Sequence, residues 1–225
     1  MFDRTIKLIG EDNFKKVQEV VVGVVGLGGV GGYAVEGLVR SGVKKFIVVD
    51  YDTIDISNLN RQVITQMDNI DSFKVEAMEK HILSINPECE VVKLNVKLDK
   101  DNIDTLFEYS FDYLLDACDD IVVKELLIKN CLDKSIKIIS SMGTGSKFNP
   151  SDLEIVDIRK TSYDPIARKI RKYLKYNNIT KKVPVVYSKE KRDSFTGSIP
   201  SMVFVPAAAG LLMANYVIKD IIFLK

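Results

Sequence analysis

The sequence has little sulfur and almost no imidazole. Its three cysteines, Cys89, Cys118 and Cys131, form no CxxC pair and no spacing short enough for a metal knuckle. An odd count at irregular intervals excludes a disulfide framework. Free thiols in a reducing compartment are expected, hence a cytoplasmic location. No cysteine follows Cys131, so no thioester or persulfide can form beyond it. The lone histidine, His81, lies in a helical pattern and is read as a helix-surface or internally satisfied residue. The charged N-terminus has no long apolar core, so no secretory leader is visible. The most apolar stretch, residues 202–218, contains Pro206, Gly210 and Asn215. A spanning helix needs about 20 apolar residues, so a buried helix and no membrane contact are expected. Repeats and low-complexity tracts are absent.

What is present is a chain of 225 residues, 46% apolar, enough for one domain with a real core. Apolar strand-like runs at 20–26, 46–50, 91–96, 113–118 and 137–141 alternate with helix-like runs at 30–41, 74–85 and 122–131. That alternation predicts βαβ units and an α/β class: a Rossmann-like, mostly parallel sheet flanked by helices. After Gly145 the character changes. Residues 153–158 and 184–187 are strand-like, and 165–175 form a basic amphipathic helix with Asp164 and Pro165 as cap and first turn. Residues 189–201 are read as a mobile loop, and 207–223 as a closing helix. The single domain 1–225 is thus expected to comprise a nucleotide-binding part, 1–145, and a basic, mixed extension of the sheet, 146–225.

Chemistry is signalled first by Gly26-Leu27-Gly28-Gly29-Val30-Gly31, between a buried strand and a helix. Glycines there permit a tight turn and close approach to a phosphate or ribose, and the helix N-terminus adds free N–H groups. Asp50 ends the second strand, where a carboxylate can accept from ribose hydroxyls. The motif alone does not separate NAD, FAD, S-adenosylmethionine and ATP. The next block does: Asp50, Asp52, Ser57, Asn58, Asn60, Arg61 and Gln62, then Lys74. Arg61 and Lys74 can neutralise a triphosphate and the charge that builds on its α-phosphate, while Asn58 and Gln62 can hold its oxygens. Asp119, after the strand 113–118, is placed to hold Mg²⁺, or alternatively to cap the helix that follows.

These blocks, in this order and spacing, resemble the ubiquitin-activating-enzyme-like superfamily, whose members adenylate carboxylates. The resemblance implies a nucleotide held by Gly26, Gly28, Gly29, Gly31, Asp50 and Asp52, with Asn58 and Gln62 beside it. It further implies phosphates met by Arg61 and Lys74, and Mg²⁺ on Asp119. Arg4 resembles the N-terminal arginine that reaches the partner subunit's ATP, which implies a homodimer. The second half, with Gly143, Gly145, Lys147, Asp157, Lys160, Asp164, Pro165, Arg168 and Arg171, resembles the tRNA threonylcarbamoyladenosine dehydratases. That implies ATP-dependent dehydration, by ring closure through a carboxyl-adenylate, of the threonylcarbamoyl-adenosine beside the anticodon. A sulfur-relay protein is a further implied partner.

Charge fits a tRNA substrate. From Arg159 to Arg192 there are twelve Lys and Arg against Asp164 and Glu190, a net +10, which leaves −9 for the rest of a chain totalling +1. Such a segment is either a solvated helix face or a polyanion site; with the resemblance, Lys160, Arg168, Lys169, Arg171 and Lys172 become the expected tRNA contacts. The alternative is adenylation of a ubiquitin-like sulfur-carrier protein, whose activating enzymes carry two CxxC pairs and a crossover cysteine that this chain lacks. An NAD(P) oxidoreductase leaves Arg61 and Lys74 unexplained, and a non-catalytic tRNA scaffold leaves the intact Arg61, Lys74 and Asp119 set unexplained.

Overall fold

A computed structural model describes residues 1–191 and 199–223. Its helices are α1 (Asp3–Ile9), α2 (Glu11–Glu19), α3 (Gly31–Ser41), α4 (Lys74–Ile85), α5 (Ile103–Leu106), α6 (Ile121–Asp133), α7 (Pro165–Tyr176) and α8 (Phe204–Phe223). Its strands are β1 (Val21–Val25), β2 (Lys45–Val49), β3 (Glu90–Leu94), β4 (Tyr113–Asp116), β5 (Lys137–Ser141), β6 (Leu153–Asp157) and β7 (Pro184–Ser188).

The seven strands lie in the order β3-β2-β1-β4-β5-β7-β6. All neighbours are parallel except β6, which runs antiparallel to β7 at the edge. The expected mostly parallel sheet with a mixed C-terminal extension is therefore what forms. Side chains of the central strands alternate between two cores. Val22, Val24, Phe46, Val48 and Leu115 face α3, α4 and α8; Val25, Ile47, Val49 and Leu114 face α5, α6 and α7. Burial on both faces explains why these strands read as continuous apolar runs.

The stretch expected to be a buried helix is α8. It is long and apolar enough to cross a membrane by composition, yet Ala209, Met213, Ala214 and Val217 are buried in the first core. At Gly210 an added Cβ would stand 2.2 Å from Val30 O, so α8 lies directly on the start of α3. The helix begins at Phe204 rather than 207. Pro206 falls in the first turn, where its missing N–H has no partner to lose. Two N-terminal helices were not expected at all. α2 buries only Phe14 and Val17, and α1 buries nothing. The expected mobility of 189–201 concerns residues 192–198, which lie outside the described residues. On either side, Lys189 N donates to Asp152 O and Asn60 Nδ2 to Ser201 O.

The strand order turns around between β1 and β4, because the crossovers leave these two strands in opposite directions. Loops after both strands then splay apart and leave a crevice at their carboxyl ends.

Candidate active site

The crevice is a cavity of about 610 Å³. The turn after β1 forms its floor. Gly26 has φ +89°, and a Cβ on it would sit 2.7 Å from Ala117 O. A side chain is therefore excluded twice, by conformation and by space. Gly31 packs the helix onto the turn: a Cβ there would overlap Gly26 O at 1.8 Å. Gly26, Gly28 and Gly29 line the cavity, while Gly31 does not and serves the close packing alone.

Asp50 leaves the end of β2 and is 9% exposed. Its Oδ2 accepts from Leu27 N at 2.6 Å and its Oδ1 from Asp52 N at 2.9 Å. The carboxylate thus fixes the glycine turn, and its remaining lone pairs still face the cavity. Burial pushes its pKa up, and the nearby Lys74 ammonium works against that. Lys74 opens α4, an end where the helix dipole disfavours a cation. Its side chain is nearly buried, and Nζ meets Asp52 Oδ2 at 2.7 Å.

The segment between β2 and α4 makes the opposite wall. A single 3₁₀ turn, Ile56–Asn58, is capped by Asp55, whose own N–H donates to Asn58 Oδ1 at 3.2 Å. Arg61 Nη1 donates to Ser57 O at 2.7 Å and to Asn60 Oδ1 at 2.9 Å. Its stem rests on Gly29, and the rest of its fork is left for a ligand. Gln62 is 7% exposed, and its Oε1 is buried without a hydrogen-bond partner among the described residues.

The third wall follows β4. Asp120 caps α6, accepting from Val122 N at 2.8 Å and Val123 N at 3.1 Å. Asp119, exposed in the cavity, makes no hydrogen bond or ion pair among the described residues. The capping role open to this acidic pair therefore falls to Asp120. Cys118 also lines the cavity, but burial first, and then Asp116, pushes its thiol well up, so it stays protonated. Its Sγ lies 3.1 Å from Asp116 Oδ1.

The cavity thus gathers Gly26, Gly28, Gly29, Asp50, Asp52, Asn58, Arg61, Gln62, Lys74 and Asp119. Arg4 is exposed on α1 and does not line its own chain's cavity. Of the expected tRNA contacts, Lys160 is exposed on a turn, and Arg168, Lys169 and Lys172 are exposed on one face of α7. Arg171 turns inward instead. Its Nη1 donates to Thr161 O at 3.2 Å, to Thr161 Oγ1 and to Ile158 O at 3.4 Å, so it holds the turn before α7. His81 Nε2 meets Glu36 Oε2 at 2.5 Å across α3 and α4, a satisfied helix histidine as expected.

Sequence reasoning missed three things. Thr144, between Gly143 and Gly145, and Ser201, far along the chain, close the cavity. Tyr51 and Lys97 line its rim, the ammonium 5.2 Å from the ring centroid. Beneath it, fully buried Lys124 meets Asp116 at 3.0 and 3.1 Å and donates to Ser141 O at 2.8 Å. The signal for that pair was a lysine set among Val123, Leu127 and Ile128 on the buried side of a helix.

The chain and its fold are similar to known proteins. A tRNA threonylcarbamoyladenosine dehydratase of Bacillus subtilis is 37% identical over 98% of this chain and 94% of its own. The crystal structure of the Escherichia coli tRNA N6-threonylcarbamoyladenosine dehydratase in complex with ATP superposes with a TM-score of 0.92 at 30% identity. It covers 98% of this chain and 93% of that one. The AMP complex of the same enzyme gives 0.91 over 97% and 92%. The ThiF family profile matches residues 2–222, and with that span nearly the whole chain, glycine turn to closing helix, belongs to the ThiF family.

Proposed function

We propose that this protein is an ATP-dependent tRNA threonylcarbamoyladenosine dehydratase. ATP is its co-substrate. The reading rests above all on one observation: the cavity sets Arg61, Lys74 and Asp119 around a glycine turn. The similarity to dehydratases solved with ATP and AMP supports it.

The nucleotide lies over the turn with its ribose at Asp50 and its phosphates toward Arg61 and Lys74. Lys74 exchanges part of its pairing with Asp52 for the phosphates. The free N–H groups of Arg61 meet the charge that grows on the α-phosphate. The donor set also fits a divalent cation. Lys74, Arg61 and Lys97 share the cavity with Asp50, Asp52, Asp119 and Asp120, so a tetra-anion would enter a lining without excess positive charge. Mg²⁺ typically binds one or two carboxylates plus phosphate oxygens. Asp119, with both oxygens free, is the residue to hold it, and the ion would supply charge neutralisation.

In the reaction, a carboxylate oxygen of the threonylcarbamoyl group attacks the α-phosphorus and pyrophosphate leaves. A neighbouring group of the same nucleoside then attacks the acyl carbon and AMP leaves with that oxygen. The ring closes with net loss of water. An intramolecular nucleophile has a high effective concentration, which suits a site whose cavity cysteine is held protonated. Activation of a sulfur-carrier protein has less support, because no cysteine stands beyond Cys131 to carry a thioester or persulfide in that part of the chain. The tRNA backbone docks on the outer face of α7 through Arg168, Lys169 and Lys172, with Lys160 nearby. The protein works in the cytoplasm as a homodimer. Phe204 and Leu211, 53% and 47% exposed on α8, and the unburied helix α1 are surfaces for that contact.

The test is direct. The protein is incubated with α-³²P-labelled ATP, Mg²⁺ and tRNA with or without the threonylcarbamoyl group, and AMP and pyrophosphate are followed. Release should require the modified tRNA. Lys74→Ala and Asp119→Ala should each lower it at least about a hundredfold, with the circular-dichroism spectrum unchanged. Near-normal turnover in either variant would remove these residues from the site.

A further inference from the structure

Asp164 is 4% exposed, and each of its oxygens has a different task. Oδ1 accepts from Ala167 N at 2.8 Å and caps α7. Oδ2 accepts from Gly143 N at 3.1 Å, 21 residues upstream. Only the first contact is needed to start a helix. The second reaches the segment after β5, whose next residue, Thr144, lines the nucleotide cavity. There is little slack at this junction. A Cβ on Gly143 would stand 3.2 Å from Asp164 Oδ2 and 3.7 Å from Ile166 Cδ1. Behind it α7 is held firmly, by Arg171 on the carbonyls of Ile158 and Thr161 and by buried Ala167, Ile170 and Leu174. One carboxylate therefore joins the helix bearing Arg168, Lys169 and Lys172 to a wall of the cavity.

We propose that Asp164 is a positioning residue that holds the basic face of α7 at a fixed offset from Thr144, so that a docked tRNA presents its modified adenosine to the bound nucleotide. This rests on the tRNA-dependent adenylation proposed above. Asp164 touches no reacting atom and acts through Gly143 on one side and α7 on the other. Its effect belongs to the rate of the bound complex, because misplacement by about 1 Å can cost about a hundredfold.

Asp164→Ser and Asp164→Asn separate the two tasks. Both keep an oxygen that caps α7. Serine lacks a second acceptor, and asparagine offers Gly143 N–H a donor instead. For each variant the thermal midpoint, the affinity for a fluorescent ATP analogue, the affinity for modified tRNA and the single-turnover rate of AMP release at saturation are measured. Both variants should stay folded, with both affinities within about twofold of the unaltered protein and a rate about ten- to a hundredfold lower. A normal rate at saturation overturns the proposal, including when tRNA affinity alone falls. A parallel loss of ATP affinity and thermal stability in both variants overturns it too, since the carboxylate then only supports the fold. If the unaltered chain releases no AMP with modified tRNA, the underlying reading has failed, and that is seen before any variant is made.

Discussion

Lys124 and Asp116 put a full positive and a full negative charge where no water reaches, 0% exposed on both side chains. Burial, the largest influence, lowers the Lys124 pKa, but Asp116 together with Cys118 and Asp119 raises it by more, so the net shift is upward and the ammonium is held charged. Ser140 Oγ and the Cys118 thiol also donate to Asp116. The pair thereby clamps the strand ends from which Cys118 and Asp119 enter the cavity. Removing one partner leaves a buried charge unmatched, which typically costs more than the pair itself contributes. Lys124→Met should therefore lower the unfolding free energy by about 3–5 kcal/mol, measured by urea titration. Adding Asp116→Leu should restore part of it. A single-variant loss under about 1 kcal/mol would show that water or another group reaches Asp116. The sequence displays both residues, yet pairing across eight positions depends on how α6 returns over β4 and β5. The division of labour between Asp119 and Asp120 was equally hidden. Both can cap a helix in principle, and only the backbone path decides which oxygen faces the N–H groups.

Along α7 the charges are not equivalent. Arg168, Lys169 and Lys172 stand on the exposed face, whereas Arg171 is spent on carbonyls of its own chain. Arg159 likewise donates to Ile179 O and Lys181 O, and Lys181 Nζ to Leu132 O. A count of basic residues thus overstates what is free to meet a polyanion. With Arg168, Lys169 and Lys172 changed together to Ala, tRNA affinity should fall. The slope of log affinity against log salt should become shallower by roughly two to three units, by filter binding across a salt series. Arg171→Ala should leave that slope alone and lower the unfolding free energy by about 1.5–3 kcal/mol, as loss of hydrogen bonds from a charged donor does. A change of slope in Arg171→Ala would return it to the docking face. The helix itself was legible because Asp164-Pro165 marks its start and Ala167, Ile170 and Leu174 repeat at helical spacing. The central strands were legible for a different reason, since a strand buried on both faces reads as a near-continuous apolar run. Helices α1 and α2 offered neither cue. Two buried side chains make no stripe, and α1 has none.

At the scale of the whole molecule, α1 is the helix least committed to its own chain. It meets α2, with Phe2 and Phe14 rings 5.3 Å apart, and sets Ile9 against the first core, but it buries no residue fully and leaves Leu8 85% exposed. Arg4 and Leu8 lie one helical turn apart, so they share a face. An arginine and a leucine presented together suit a second copy of the chain, the leucine as anchor and the arginine as the group delivered. The cavity has room for such a delivery, because its lining has no surplus of cations and Arg4 does not reach it from within. If Arg4 completes the partner's site, two inactive variants can repair one another. Arg4→Ala and Lys74→Ala should each lose most tRNA-dependent AMP release. Unfolding and refolding them together in equal amounts should form heterodimers in about half of the molecules, each with one intact site, so about a quarter of the original activity should return. A variant mixed with itself supplies the baseline. If Arg4→Ala is active alone, or the mixture stays as inactive as its parents while light scattering reports dimers, the arginine serves no partner and the exposed face of α1 has another use.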